Sequence, residues 1–388
     1  MDPAMARAPQ PVYRDMRAAM RVVPMDGSVI LGGRAEIDEA LRDHSRYSSN
    51  MSAVDLQNVR PLIPLQIDPP DHKQYRRILD PIFAPKKMAA MEGPVSELVN
   101  DLIDRFENRQ DINFATEFST LFPTQVFLVF FGLPVGDLPT FLAMKDGIIR
   151  PHHAIGSTFG SVESITHQKA TADSVYAYFE EVLDRRQQDP HEDLLSQFLV
   201  IEIDGRRLTR HEVLDICFLL LIAGLDTVTA TLDCMFAYLA QHPEQRRQIC
   251  EDPSVIPAAV EELLRWETPV MGIVRSAVAD GEIGGCPVAK GDQVVAMLGS
   301  ANTDGQAFDD PDVVRFDRTV NRHIAFGGGV HRCLGSHLAR LELRVALREW
   351  HRRIPDYSIA DGIELVYTGG IRSIEDFPMV LSAPAGAR

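Results

Sequence analysis

From Arg210 to Ala240 the chain has a helical pattern of roughly thirty residues, and no other feature limits the fold as much. It opens on "TRHE", where Thr209 and Glu212 have the spacing of a capping box, each side chain in reach of the other's backbone N–H. At about 1.5 Å per residue the helix would span about 45 Å. Residues 216–225, "ICFLLLIAGL", are apolar on nearly every face, so the helix belongs in the centre of the protein. That run is about half the length needed to cross a bilayer, and Asp215 and Asp226 bracket it. It reads as a buried helix.

Helical periodicity dominates from about 86 to 270, with further segments at 94–108, 123–131, 136–150 and 171–188. Residues 1–80 mix strand-like pieces such as "SVILGG" with a helix at 34–43, and 48–70 read as a loop-rich segment. Residues 273–298 change to two short strands around Gly and Pro turns. A last helix, 336–353, buries Leu338, Leu341, Val345 and Leu347 or Trp350. The Phe-rich stretch 114–134 is core packing. The expectation is a mainly α chain with a small β portion, in a single domain over 1–388. Its helix-rich parts are about 86–270 and 334–353, and its β-containing parts about 20–60, 273–300 and 360–385.

A net charge of −16 argues against nucleic acid as a partner. Five cysteines with no CxxC pair fit a reducing compartment and leave one thiol for chemistry. The N-terminal stretch has no apolar core for a signal peptide or membrane anchor, so a soluble, cytoplasmic monomer is expected.

The thiol in question is Cys333, in "FGGGVHRCLG" (326–335), immediately before the last helix. A helix N-terminus supplies donors and positive potential that favour a thiolate. Gly327, Gly328 and Gly329 let backbone approach something flat, and His331 and Arg332 add donors or positive charge. A structural thiol beside a glycine turn is one reading; a thiolate ligand to an iron macrocycle is the other.

The loop resembles the haem-binding signature of the cytochromes P-450, Phe-Gly-x-Gly-x-His-x-Cys-x-Gly, matched at Phe326, Gly327, Gly329, His331, Cys333 and Gly335. The resemblance implies a cytochrome P-450 fold with a long helix over a buried haem b. Cys333 is then the axial thiolate, Phe326 packs near its sulfur, and His331 meets a haem propionate. Four further stretches agree with it. "EELLR" puts Glu262 and Arg265 on one helix face, and the family joins such a pair to a further arginine, best matched by Arg318, as a structural network. "DPPDHKQYRR" puts His72 and Arg76 one turn apart; with Arg275 they match the family's propionate donors. "AGLDTVT" interrupts the central apolar run. Thr227 could bond back to the carbonyl of Ala223 and bend the helix, whereas the resemblance makes Ala223–Gly224 a groove for dioxygen, with Asp226 and Thr227 relaying protons. One departure is Val228, where many members have Thr or Ser. Residues 300–318 match the family's polar connector.

The implied function is that of a haem-thiolate monooxygenase, inserting one oxygen atom of O2 into a hydrophobic organic substrate of terpenoid, fatty acid, steroid or aromatic type. Without a flavin or nicotinamide module, electrons from NAD(P)H are expected through a separate ferredoxin and its reductase. A partner face is expected at Lys86, Lys87, Arg332, Arg340 and Arg344. By alignment to the family, the substrate pocket draws on Leu62, Ile63, Leu65, Leu219, Ile222, Val270, Met271, Ile273 and Ile371. Arg60 and Arg372 are read as exposed arginines without a role, or as contacts for a polar substrate end. His152 and His153 read as part of a polar lid loop before a metal site. A peroxide-driven hydroxylase is one alternative, although that type usually lacks the acid–alcohol pair that Asp226 and Thr227 form; a non-catalytic haem sensor is another.

Overall fold

The computed structural model describes residues 3–50, 60–203 and 205–381, so the middle of the loop-rich 48–70 segment lies outside the described residues. Contacts group the chain into two compact units, one from residues 1–49, 88–122 and 227–388, the other from 50–87 and 123–226. The boundary falls inside the central helix, Arg210–Gln241, which runs unbroken through Gly224. It is long and apolar enough to span a membrane, but 72% of its most apolar window is buried within the protein. It is a core helix.

The first unit contains a five-stranded sheet in the order Val22–Met25, Ser28–Leu31, Gln293–Ala296, Ile273–Ala277, Tyr47–Ser48. Pairing is antiparallel except between Ser28–Leu31 and Gln293–Ala296. Alternate residues face inward along each strand. Val29, Leu31, Val294 and Ala296 therefore share a core with Ile37 and Leu41 of the helix Arg34–Arg42, and with Ile324 just ahead of the Cys333 loop. Elsewhere in this unit an aromatic cluster surrounds Trp350, with Phe118, Phe236 and Phe114 rings 5.0, 5.1 and 5.2 Å away. It seats the last helix, Ser336–Arg353.

The second unit is built from the helices Asp71–Leu79, Leu138–Ile149, Val162–Gln188 and Leu194–Val200, with most of Leu121–Phe131 and the first half of the central helix. Phe127 and Phe131 stack at 4.1 Å, and Tyr176 stacks on Phe218 of the central helix at 5.0 Å. The Thr209–Glu212 capping box is formed: the Glu212 carboxylate accepts from the Thr209 N–H at 2.7 Å, and Thr209 Oγ1 accepts from the Glu212 N–H at 3.2 Å.

Two boundaries differ from the sequence pattern. The helix expected from 171 begins at Val162, because Ser161 caps it by accepting from the Ser164 N–H at 3.1 Å. Its first turns are polar and show no apolar stripe. Beyond Ile273–Ala277, residues 281–296 form three strands where two were expected, since Gly284 and Gly285, both at positive φ, close an extra hairpin between Gly281–Ile283 and Cys286–Val288.

Candidate functional site

In the first unit the residues around Cys333 form a tight, glycine-dependent turn. Gly327 and Gly329 sit at φ +69° and +66°, where L side chains are strained. A Cβ on Gly329 would lie 2.0 Å from the Leu41 carbonyl oxygen, so only glycine fits there. The Cys333 N–H donates to the Phe326 carbonyl at 2.9 Å, closing the loop on itself. Gly335 then caps the helix Ser336–Arg353, so the thiol stands three residues ahead of a helix start. Cys333 is the one exposed cysteine of the five. Cys217 and Cys234 are buried, and burial pushes both thiols well up. An exposed thiol beside a helix N-terminus, on a turn without side-chain bulk, fits thiolate ligation of a flat macrocycle.

Arg275, in the strand Ile273–Ala277, is buried and donates to the Val274 carbonyl at 2.8 Å. The neighbouring Ile273 side chain lies 3.8 Å from the position of a Cβ on Gly327, so this strand flanks the cysteine loop. Val270 bridges to Ile371, and Met271 N–H donates to the Gly370 carbonyl at 3.1 Å, which brings two of the expected pocket segments together. Met271 itself faces elsewhere: its side chain is buried against Tyr13 and Met297.

On the helix Ile256–Glu267, Glu262 accepts from Arg265 Nε and Nη2 at 2.8 Å each, from Arg318 Nε and Asn321 Nδ2 at 3.0 Å each, and from the Arg315 N–H at 3.1 Å. The expected trio Glu262, Arg265 and Arg318 is thus one network. Burial pushes the Glu262 carboxyl up, but the hydrogen bonds and charge of Arg265, then Arg318, outweigh it and hold it below the usual range.

Two expectations about arginines are overturned. Arg340, expected on a partner face, folds inward instead, its Nε 2.6 Å and Nη2 2.8 Å from the Glu261 carboxylate and its guanidinium 4.4 Å over the Phe326 ring. Arg332 and Arg344 are exposed, and so, in the second unit, are Lys86 and Lys87. Arg372, read as exposed, is 1% exposed; its guanidinium donates to the Glu267 carboxylate at 2.9 Å and the Ala6 carbonyl at 2.6 Å.

In the second unit, Asp226 is completely buried, with Arg150 Nη1 and Nη2 2.8 and 3.0 Å from its two oxygens and Lys145 Nζ at 3.8 Å. Three residues earlier the same helix opens out: Ala223 and Gly224 are exposed and Ile222 half-buried, although most of the helix is buried. Leu219 is buried; on the loop before Asp71, Leu62 and Ile63 are buried and Leu65 is exposed. His72 is buried on the helix Asp71–Leu79, and Arg76 pairs with Asp80 at 2.7 Å. That helix is fixed to the start of the central one, since Tyr75 donates to Glu212 at 2.6 Å. Arg60, the other arginine read as exposed, is half-buried and paired with Asp215 at 2.7 Å, its guanidinium 4.7 Å over Tyr176. The His152 and His153 rings lie 4.2 Å apart, tilted at 58°, and among the described residues no group of three His, Cys, Asp or Glu could hold a metal ion.

Sequence reasoning missed Arg150, Lys145 and Glu261. The signal for Lys145 was present: a lone lysine in the apolar helix "LPTFLAMKDGII" must find an anion when it is buried.

A family model, Cytochrome P450, matches residues 20–350. A curated relative, Probable cytochrome P450 127A1 of Sinorhizobium fredii, is 34% identical over 333 residues, covering 85% of this chain and 77% of its own length. The crystal structure of P450BioI in complex with hexadec-9Z-enoic acid ligated acyl carrier protein superposes with a TM-score of 0.88 at 29% identity, covering 98% of this chain and 100% of that one. That of CYP109E1 from Bacillus megaterium in complex with testosterone gives 0.85 at 27%, covering 96% and 99%. The chain belongs to the cytochrome P450 family of haem-dependent monooxygenases.

Proposed function

We propose that the protein uses a thiolate-ligated haem b to hydroxylate a hydrophobic organic substrate, with O2 and with electrons brought from NAD(P)H by a separate ferredoxin and its reductase. The observation that carries this reading is the exposed Cys333 thiol in its glycine turn at the head of a helix. Cys333 would ligate the iron, and His331, Arg275, His72 and Arg76 would meet the propionates, since two carboxylates removed from water need charged donors. Haem with a thiolate ligand supplies the activation of dioxygen needed for attack on a C–H bond.

The chain's own residues govern protons and position. Ala223 and Gly224 leave one face of the central helix free of bulk, so a flat group can lie against backbone. Asp226 is paired with Arg150. To relay a proton, its Oδ atoms exchange that partner for water and pass the proton to Thr227 Oγ1. Arg150 therefore sets when the relay is open. Val270, Ile273 and Ile371 supply apolar walls, in keeping with the fatty acyl group and the steroid named for the two similar structures. Of the expected charges, Arg332 and Arg344 in the first unit and Lys86 and Lys87 in the second are exposed and would attract an acidic ferredoxin; Arg340 is engaged by Glu261.

The test is spectroscopic. Reduced wild-type protein with carbon monoxide is expected to give the red-shifted Soret band of thiolate ligation, and Cys333→Ser to lose it. Retention of that band by the variant would overturn the assignment.

A further inference from the structure

Apart from the Cys333 loop, the first unit contains a cavity of about 220 Å³. Its walls are Tyr238 and His242 at the end of the central helix, Trp266 and Glu267 at the end of the helix Ile256–Glu267, and Tyr367 with Arg372. Of these only Arg372 is among the residues considered for the substrate's polar end, and its guanidinium is buried and turned to Glu267. His242 lies flat on Tyr238, rings 3.8 Å apart and 8° from parallel, and its Nδ1 is fixed 2.8 Å from the Tyr238 carbonyl. One wall is thus a preset aromatic panel.

The polar groups on these walls divide into two kinds. The charges are already matched: Arg372 pairs with Glu267 and donates to backbone carbonyls, while at the rim Arg7 pairs with Glu364 and Asp312 with Arg14. The neutral edges are not matched. Tyr238 is buried, and His242, Trp266 and Tyr367 are half-buried; among the described residues the two hydroxyls, Trp266 Nε1 and His242 Nε2 have no hydrogen-bond partner within the protein. Burial pushes both phenols well up, so they remain neutral donors and acceptors. None of these four atoms is sealed from water, so they face the space of the cavity, and a ligand with a complementary edge would replace water at all four.

Size narrows the class. A cavity of about 150 Å³ holds benzene, so this one takes a single ring with a small substituent. We propose that the cavity is a second small-molecule site, for a neutral planar aromatic with a hydrogen-bonding edge of the carboxamide type. The ring lies against the Tyr238–His242 panel, and the amide meets the phenols and the indole N–H.

The probe is benzamide, titrated calorimetrically into the haem-loaded protein while the Soret band is followed. One benzamide per chain is expected, without a Soret shift, and with benzoate and benzylammonium at least tenfold weaker because no wall charge is unpaired. The double variant Tyr238→Phe, Trp266→Phe keeps an aromatic ring at each position and removes two hydrogen bonds, so affinity falls about tenfold or more. Gln241→Trp, introduced at an exposed position on the rim, blocks entry even if the double variant folds poorly. No saturable binding, binding that survives Gln241→Trp, or binding that moves the Soret band would each overturn the site. None of these results bears on Cys333.

Discussion

Glu262 and Asp226 are both helical carboxylates with no exposed surface, yet the chain treats them in opposite ways. Glu262 has every lone pair engaged, by two arginine side chains, an asparagine amide and a backbone N–H. Asp226 is held by one guanidinium, with one ammonium further off at 3.8 Å. Its partners also have a substitute: Asp146 lies 2.7 Å from Lys145 and 3.8 Å from Arg150. A saturated buried charge cannot leave its place without stranding the others. One held by a partner with somewhere else to go can be released and recaptured. The same residue class, equally buried, is structural in one network and suited to a proton relay in the other.

The largest effect expected from this contrast is at Glu262. Glu262→Gln leaves Arg265 and Arg318 buried without a counter-charge, a loss on the order of 3–5 kcal/mol when one partner of a buried pair is removed. The urea midpoint should fall steeply, and little haem protein should be recovered. A variant with the wild-type midpoint would break the comparison, because saturation would then not be what makes the network structural.

At Asp226 the expected loss is of rate. Asp226→Asn should keep most of the fold, since Lys145 and Arg150 can turn to Asp146, while turnover falls by about 10²-fold, the low end for a lost proton-transfer group. Thr227→Ala should continue to consume reductant but release peroxide in place of product. Unfolding of Asp226→Asn comparable to that of Glu262→Gln would show that both carboxylates are structural. Full coupling in Thr227→Ala would remove the relay.

What could be read from the sequence follows from range. The Cys333 loop, the Thr209–Glu212 box and the Glu262–Arg265 pair each lie within ten positions; the box is legible from spacing, the other two through the resemblance to the family. The partners of Asp226 come from residues 145 and 150, and those of Glu261 from 323 and 340, brought together only by the fold. Arginine misleads for the same reason. Its guanidinium reads as surface in any sequence, but Arg60, Arg340 and Arg372 each found an anion or carbonyls inside. The helix from Val162 went unread over its first turns because a serine cap starts it where the residues are polar.

Glu261 stands between the two extremes and gives the smallest effect. Both its oxygens are paired, with Arg340 and with His323 Nε2 at 2.9 Å, but its side chain is 30% exposed. Burial pushes its carboxyl up; the hydrogen bonds from Arg340, then His323, outweigh that and bring it to about 2. A carboxyl lowered in the folded state binds protons less readily there than in the unfolded chain. Its contribution is therefore complete above about pH 4.5 and is lost as pH falls toward about 2. Glu261→Gln removes that contribution at every pH. The gap between wild-type and variant urea midpoints should be widest near neutrality and should close as pH drops from about 4.5. Arg340, freed in the variant, still covers Phe326, so the carbon monoxide spectrum at neutral pH should not move. A gap that stays constant through this range would mean that packing of Arg340 on Phe326, and not charge, is what Glu261 secures.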